Sequence, residues 1–124
     1  MHRSRLVAAL IDVPQEFFGQ ETEFWSGALG AEPRRDADDP DYAGLGEVTP
    51  GFQIYVQRVG APARVHLDIE TDDIAAEVTR LTKLGAKVVD RLERWVVMQA
   101  PSGQRFCVVR VQRPGFSDNA NRWD

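Results

Sequence analysis

Apolar and polar side chains alternate along several stretches of this chain, the signature of a strand with two unlike faces. In residues 51–59 (GFQIYVQRV), Phe52, Ile54 and Val56 point one way, and Gln53, Tyr55 and Gln57 the other. In residues 64–70 (RVHLDIE), Val65, Leu67 and Ile69 oppose Arg64, His66, Asp68 and Glu70. Around residues 105–111, Phe106 and Val108 oppose Arg105, Cys107 and Val109. Residues 6–13 (LVAALIDV) read as a short apolar strand ended by Pro14, and residues 86–89 and 95–99 as two more strands.

Two stretches follow a helical period instead. Residues 15–29 carry Phe17, Phe18, Phe24, Trp25, Ala28 and Leu29, with Gly30 as the stop. The adjacent Phe24 and Trp25 are expected in the core. The second stretch, capped by Thr71 or Asp72, places Ile74, Val78, Leu81 and Leu84 on one face and stops at Gly85. Residues 32–50 predict two weak strands around a polar loop. The loop's Asp36, Asp38, Asp39 and Asp41 lack the regular spacing and closing Glu of a calcium loop, so they read as solvated.

The pattern repeats. Strand, helix and Leu-Gly-Ala occur twice, at Leu29-Gly30-Ala31 and Leu84-Gly85-Ala86, and each helix leaves room for three strands. The chain is therefore expected to be α+β, with two tandem βαβββ modules at about 5–60 and 63–112. Residues 1–113 form one domain, and residues 114–124 a polar tail in which Phe116 and Trp123 are the large apolar groups. The basic start, with His2, is expected to be mobile.

The apolar rows are expected to pack under the helices. The polar rows would then share a surface bearing Gln53, Tyr55, Gln57, Arg64, His66, Asp68, Arg105 and Cys107.

Val65-His66-Leu67-Asp68-Ile69, Asp72-Asp73, Trp95 to Met98, Pro101-Ser102-Gly103 and Phe106-Cys107-Val108-Val109 form one continuous pattern. With Ile11-Asp12-Val13-Pro14 and Phe24-Trp25 in the first half, it resembles the glyoxalase-like branch of the vicinal oxygen chelate superfamily, which includes glyoxalases, dioxygenases and bleomycin-resistance proteins. The resemblance implies a cupped, mixed eight-stranded sheet with helices outside, and commonly a homodimer. It also implies a divalent metal held by a His on the first strand and a Glu on the last strand of each module. Counting back from Asp73 reaches His66, but counting back from Gln15 reaches Ala8. The Glu positions hold Gln57 and Cys107. Of these four groups only His66 is a strong ligand, and one His, one Cys and an amide make a poor site, so neither a metal nor another cofactor is expected.

The net charge of −4 and the scattered arginines disfavour a nucleic-acid partner. No apolar run approaches the roughly 18 residues of a membrane span, and no signal peptide is apparent. A single cysteine makes the reducing cytoplasm the default location. The expected role is binding of a small organic molecule in a metal-free cup, through Gln53, Tyr55, Gln57, Arg64, His66, Arg105 and Cys107. The alternative is a metal-independent lyase or isomerase in which His66 is the general base and Asp68 orients it. A metal-dependent glyoxalase or dioxygenase fits less well.

Overall fold

The computed structural model describes residues 1–49 and 51–124. The strands join one mixed sheet in the order β2-β3-β4-β1-β5-β8-β7-β6, with β9 added against β1. They are β1 His2–Pro14, β2 Arg34–Asp36, β3 Asp39–Thr49, β4 Phe52–Val59, β5 Arg64–Thr71, β6 Lys87–Arg91, β7 Trp95–Gln99, β8 Arg105–Arg110 and β9 Asn121–Trp123. The helices are α1 Phe18–Leu29, α2 Ile74–Lys83 and α3 Phe116–Asn119. This is the expected α+β fold, with a ninth strand drawn from the tail. Pro50, read from the sequence as part of the stretch after residue 32, lies outside the described residues.

The chain divides into two compact units, Ala8–His66 and Met1–Val7 with Leu67–Asp124. In the first, β1 and β4 run parallel, with Ala8 opposite Gln53 and Asp12 opposite Gln57. Pro14 ends β1, a 3-10 turn over Gln15–Phe17 follows, and Gly30 closes α1 in the left-handed region at φ 70°. The core comprises Val13, Phe18, Ala43, Leu45 and Val56, with Ile11, Trp25, Ala31, Val48 and Ile54 packed around it. Phe24 does not join it. It is 58% exposed and meets Trp25 edge-on with ring centroids 5.1 Å apart. Consecutive helical residues point about 100° apart, so only one of an adjacent pair faces the sheet. The inward stripe runs through Phe18, Thr22 and Trp25; the Thr22 hydroxyl is satisfied by donating to the Phe18 carbonyl at 2.6 Å.

In the second unit β5 and β8 run parallel, and β7 is antiparallel to both β8 and β6. Asp73, one position beyond the residues expected to cap α2, accepts from the Ala76 amide at 3.0 Å. Val78, Leu81, Ala86, Val96, Met98 and Val108 form the core, with Ile69, Ile74 and Phe106 against it. Of the apolar row on β5, only Ile69 reaches that core. Val65 and Leu67, expected beneath a helix, are 64% and 45% exposed, because α2 lies over β6, β7 and β8.

The termini are built into this unit. The expected first strand starts four residues earlier, at His2, because β9 pairs with it (His2 opposite Trp123, Ser4 opposite Asn121). His2, expected in a loose terminus, is buried in β1 with Nε2 2.8 Å from Oε1 of Glu77. Arg80 donates to both oxygens of Glu77 and lies 3.9 Å over the Trp123 ring, whose Nε1 donates to the Ser4 hydroxyl. Arg5 donates to Glu70 at 2.7 Å and to the carbonyls of Arg113, Pro114 and Gly115, which fixes the path into α3.

Candidate functional site

Three facing residues make a polar row across β3, β4 and β1. Tyr42 pairs with Gln57, and Gln57 with Asp12. Paired residues project to the same side of a sheet, and here it is the side away from the Ile11, Val13, Ile54 and Val56 core. Gln57 Nε2 donates to the Tyr42 hydroxyl at 3.0 Å. Asp12 is fully buried, and its Oδ2 is the meeting point of His66 Nδ1 at 2.7 Å and Arg64 Nε at 3.2 Å. Burying a carboxylate is costly unless it is paired and hydrogen-bonded. Arg64 and His66, alternate residues of β5, supply both the charge and the donors.

An ionised carboxylate only accepts, so the proton of neutral His66 belongs on Nδ1, and Nε2 is the basic atom of the ring. The buried ring is thus held in one tautomer by a group from another strand. The sequence reading missed Asp12 as a site residue. Its signal was visible as the lone charge within the apolar run LVAALIDV.

One step along the sheet, Gly44 faces Tyr55. A Cβ on Gly44 would stand 3.3 Å from Cε2 of Tyr55, so the absent side chain lets the aromatic ring lie against β3. The Tyr55 hydroxyl donates to Oε1 of Gln53 at 2.9 Å. The alternation of β4 therefore produces what the sequence predicts: Gln53, Tyr55 and Gln57 on one face and Ile54 and Val56 in the core.

On β5 and β8, Asp68 lies opposite Cys107. Both Asp68 and Cys107 are half-buried, whereas Arg105 is exposed at the start of β8. Nδ1 of His66 donates its hydrogen bond to Oδ2 of Asp12.

A family model described as the glyoxalase-like domain matches residues 10–109, most of the chain. The chain belongs to the glyoxalase-like domain family. No curated protein matches. Among solved structures, the glyoxalase-like fold is shared with a glyoxalase/bleomycin resistance protein/dioxygenase superfamily member from Vibrio splendidus 12B01 (15% identity, 87% of this chain and 99% of that one, TM-score 0.57). It is shared with methylmalonyl-CoA epimerase from Mycobacterium tuberculosis (15% identity, 87% and 88%, TM-score 0.57). A Mn(II)-bound glyoxalase from Novosphingobium aromaticivorans matches at 19% identity over 89% of this chain and 40% of that one, with a TM-score of 0.59. At these identities the likeness establishes the fold alone. No helix among the described residues is long and apolar enough to cross a membrane.

The four-ligand metal set implied by the glyoxalase-like resemblance does not fit this chain. Ala8 is a buried methyl group with no donor atom, and Gln57 offers a neutral amide whose nitrogen is committed to Tyr42. The side chains of this face can themselves supply hydrogen bonding and proton transfer.

Proposed function

We propose that this glyoxalase-like protein binds a small organic molecule on the polar face that carries Gln53, Tyr55, Gln57, Arg64 and His66, without a divalent metal. The observation that carries the reading is the burial of Asp12 with His66 and Arg64 gathered on one of its oxygens. A strand that needed only to pack would favour an apolar residue there, since buried ion pairs rarely outperform hydrophobic packing. Beside this pair, the Tyr55 ring laid against Gly44 adds an aromatic surface, and ligand sites combine a few fixed polar groups with such surfaces. The test is a thermal-shift screen of small organic acids, alcohols and amides. Binders are expected to raise the melting temperature of the wild type, and to do so less in Tyr55→Ala and His66→Ala. A screen in which no compound shifts the wild type refutes the reading.

A second reading, a metal-independent isomerase or lyase, is favoured by one contact, the Asp12–His66 hydrogen bond. Nε2 of His66 would take a proton from an acidic C–H of the ligand. The ring then becomes an imidazolium, whose charge faces the Asp12 carboxylate. Return of the proton to a neighbouring atom completes an isomerisation. Departure of a leaving group from the carbanion, with the proton passed on to that group, completes an elimination. Exchange of the ligand's C–H for deuterium in D2O, read by NMR and abolished by His66→Asn, is the expected signature.

A further inference from the structure

We infer that the ligand of this face is a neutral molecule that presents a hydroxyl or N–H donor to Oδ1 of Asp12. The inference rests on the small-molecule reading above and narrows it to a chemical class. Asp12 is fully buried, and its two oxygens are used unequally. Oδ2 receives both Arg64 Nε and His66 Nδ1. Oδ1 is buried and has no hydrogen-bond partner among the described residues. A buried carboxylate oxygen left without a donor is strongly unfavourable, and such groups persist in folded proteins where function requires them.

The sheet itself withholds the obvious internal donor. Gln57 is the direct partner of Asp12 on β4 and carries an amide donor. That nitrogen instead donates to the Tyr42 hydroxyl on β3, on the far side of β4 from β1. No donor from Gln57 reaches Oδ1, which stays buried without a partner among the described residues.

Charge decides which donor fits. Arg64 already sets a positive charge against the Asp12 carboxylate. A second cation at Oδ1 would leave a net positive charge in a buried place, at a desolvation cost. A neutral hydroxyl or amide N–H satisfies the oxygen without adding charge.

The test uses matched probes on the full chain: benzyl alcohol against benzyl methyl ether, 3-hydroxybutanone against 3-methoxybutanone, and 2-pyrrolidinone against N-methylpyrrolidinone. Binding is read by ligand-observed NMR up to about 10 mM, the range of weak fragment affinities. In wild-type protein the O–H or N–H member of a pair should bind at least about tenfold more tightly than its capped partner, as expected for loss of one hydrogen bond to a charged group. D12N should reduce that preference severalfold. The comparison within wild type stands whether or not D12N folds. Equal binding of capped and uncapped members overturns the inference and leaves the small-molecule reading intact. If no probe binds, and a wider screen also finds no binder, both fall.

Discussion

Oδ2 of Asp12 sits 2.7 Å from Nδ1 of His66, although the two residues are 54 positions apart in the sequence. The contact sets which ring nitrogen carries the proton, so it determines the chemistry His66 presents to anything bound beside it. In wild-type protein at neutral pH, two-dimensional 15N NMR should show neutral His66 protonated at Nδ1. Asp12→Asn should shift the population towards the Nε2-protonated form, because the amide no longer compels Nδ1 to donate. An unchanged tautomer in Asp12→Asn would detach His66 from Asp12. Asp12→Ala should also destabilise the fold by about 3 kcal/mol, as expected when one partner of a buried pair is removed.

Glu77 contributes to the acid stability of the unit that holds both termini. Burial alone would raise its pKa. The hydrogen bonds from Arg80, Ser4 and His2, with the charge of Arg80, more than reverse this and hold it at about 2 against an ordinary 4.5. A carboxyl depressed in the folded state stabilises fully above its unfolded value, and that stability drains away as pH falls through the folded one. The Glu77 contribution is therefore complete above about pH 4.5 and lost on the way down to about pH 2. It is worth on the order of 3 kcal/mol at 1.36 kcal/mol per pH unit. Denaturant titrations at successive pH values should show this slope in the wild type and a flatter one in Glu77→Gln.

Gly44 is a packing prediction. A Cβ there meets the Tyr55 ring at 3.3 Å, and the branched side chain of Gly44→Val would push the ring off β3. The expected outcome is a loss of about 1–2 kcal/mol from overpacking, with altered Tyr55 ring resonances and weaker probe binding. Altered ring shifts with full binding would show that the position of Tyr55 does not matter to the ligand, and normal ring shifts would show that β3 accommodates the larger side chain.

Manganese offers a check on the donor set. After incubation with Mn(II) and desalting, mass spectrometry should find far less than one ion per chain, because Ala8 and Gln57 stand where the metal-dependent pattern needs ionic or imidazole ligands. One ion per chain, lost in His66→Ala, would overturn the metal-free reading and restore metal-assisted chemistry.

The fold was legible because its signals are local. Period-two alternation at Phe52 to Gln57, the stop at Gly30 and the doubled Leu-Gly-Ala each report on their own neighbourhood. The orientation of β4 followed from the same alternation. What could not be read was set by distant partners. Nothing near His2 announces that Asn121–Trp123 will pair with it, or that Glu77 will receive its ring. Phe24 and Trp25 are equally apolar, and only the phase of α1 against the sheet separates the buried one from the exposed one. Val65 and Leu67 alternate properly, yet α2 lies over other strands. At the candidate site, His66 was found because histidine is rare in this chain and sits on a polar row. Asp12 was overlooked because its row is apolar, and its partners arrive from β5.

The pairing of β9 with the start of β1 orders events during synthesis. The Ala8–His66 unit is contiguous, so every residue it needs has been made once His66 emerges. The other unit is discontinuous: its first strand cannot gain its last neighbour until Trp123 exists. At a translation rate of roughly 5–20 residues per second, that interval lasts several seconds. Throughout it His2 and Ser4 lack Trp123 and Asn121, the β9 residues that lie opposite them, and leave an open edge for another nascent chain. The segment carrying Asp12, Arg64 and His66 can thus be assembled while β9 is still to be paired, and the start of β1 stays open to mispairing throughout that window.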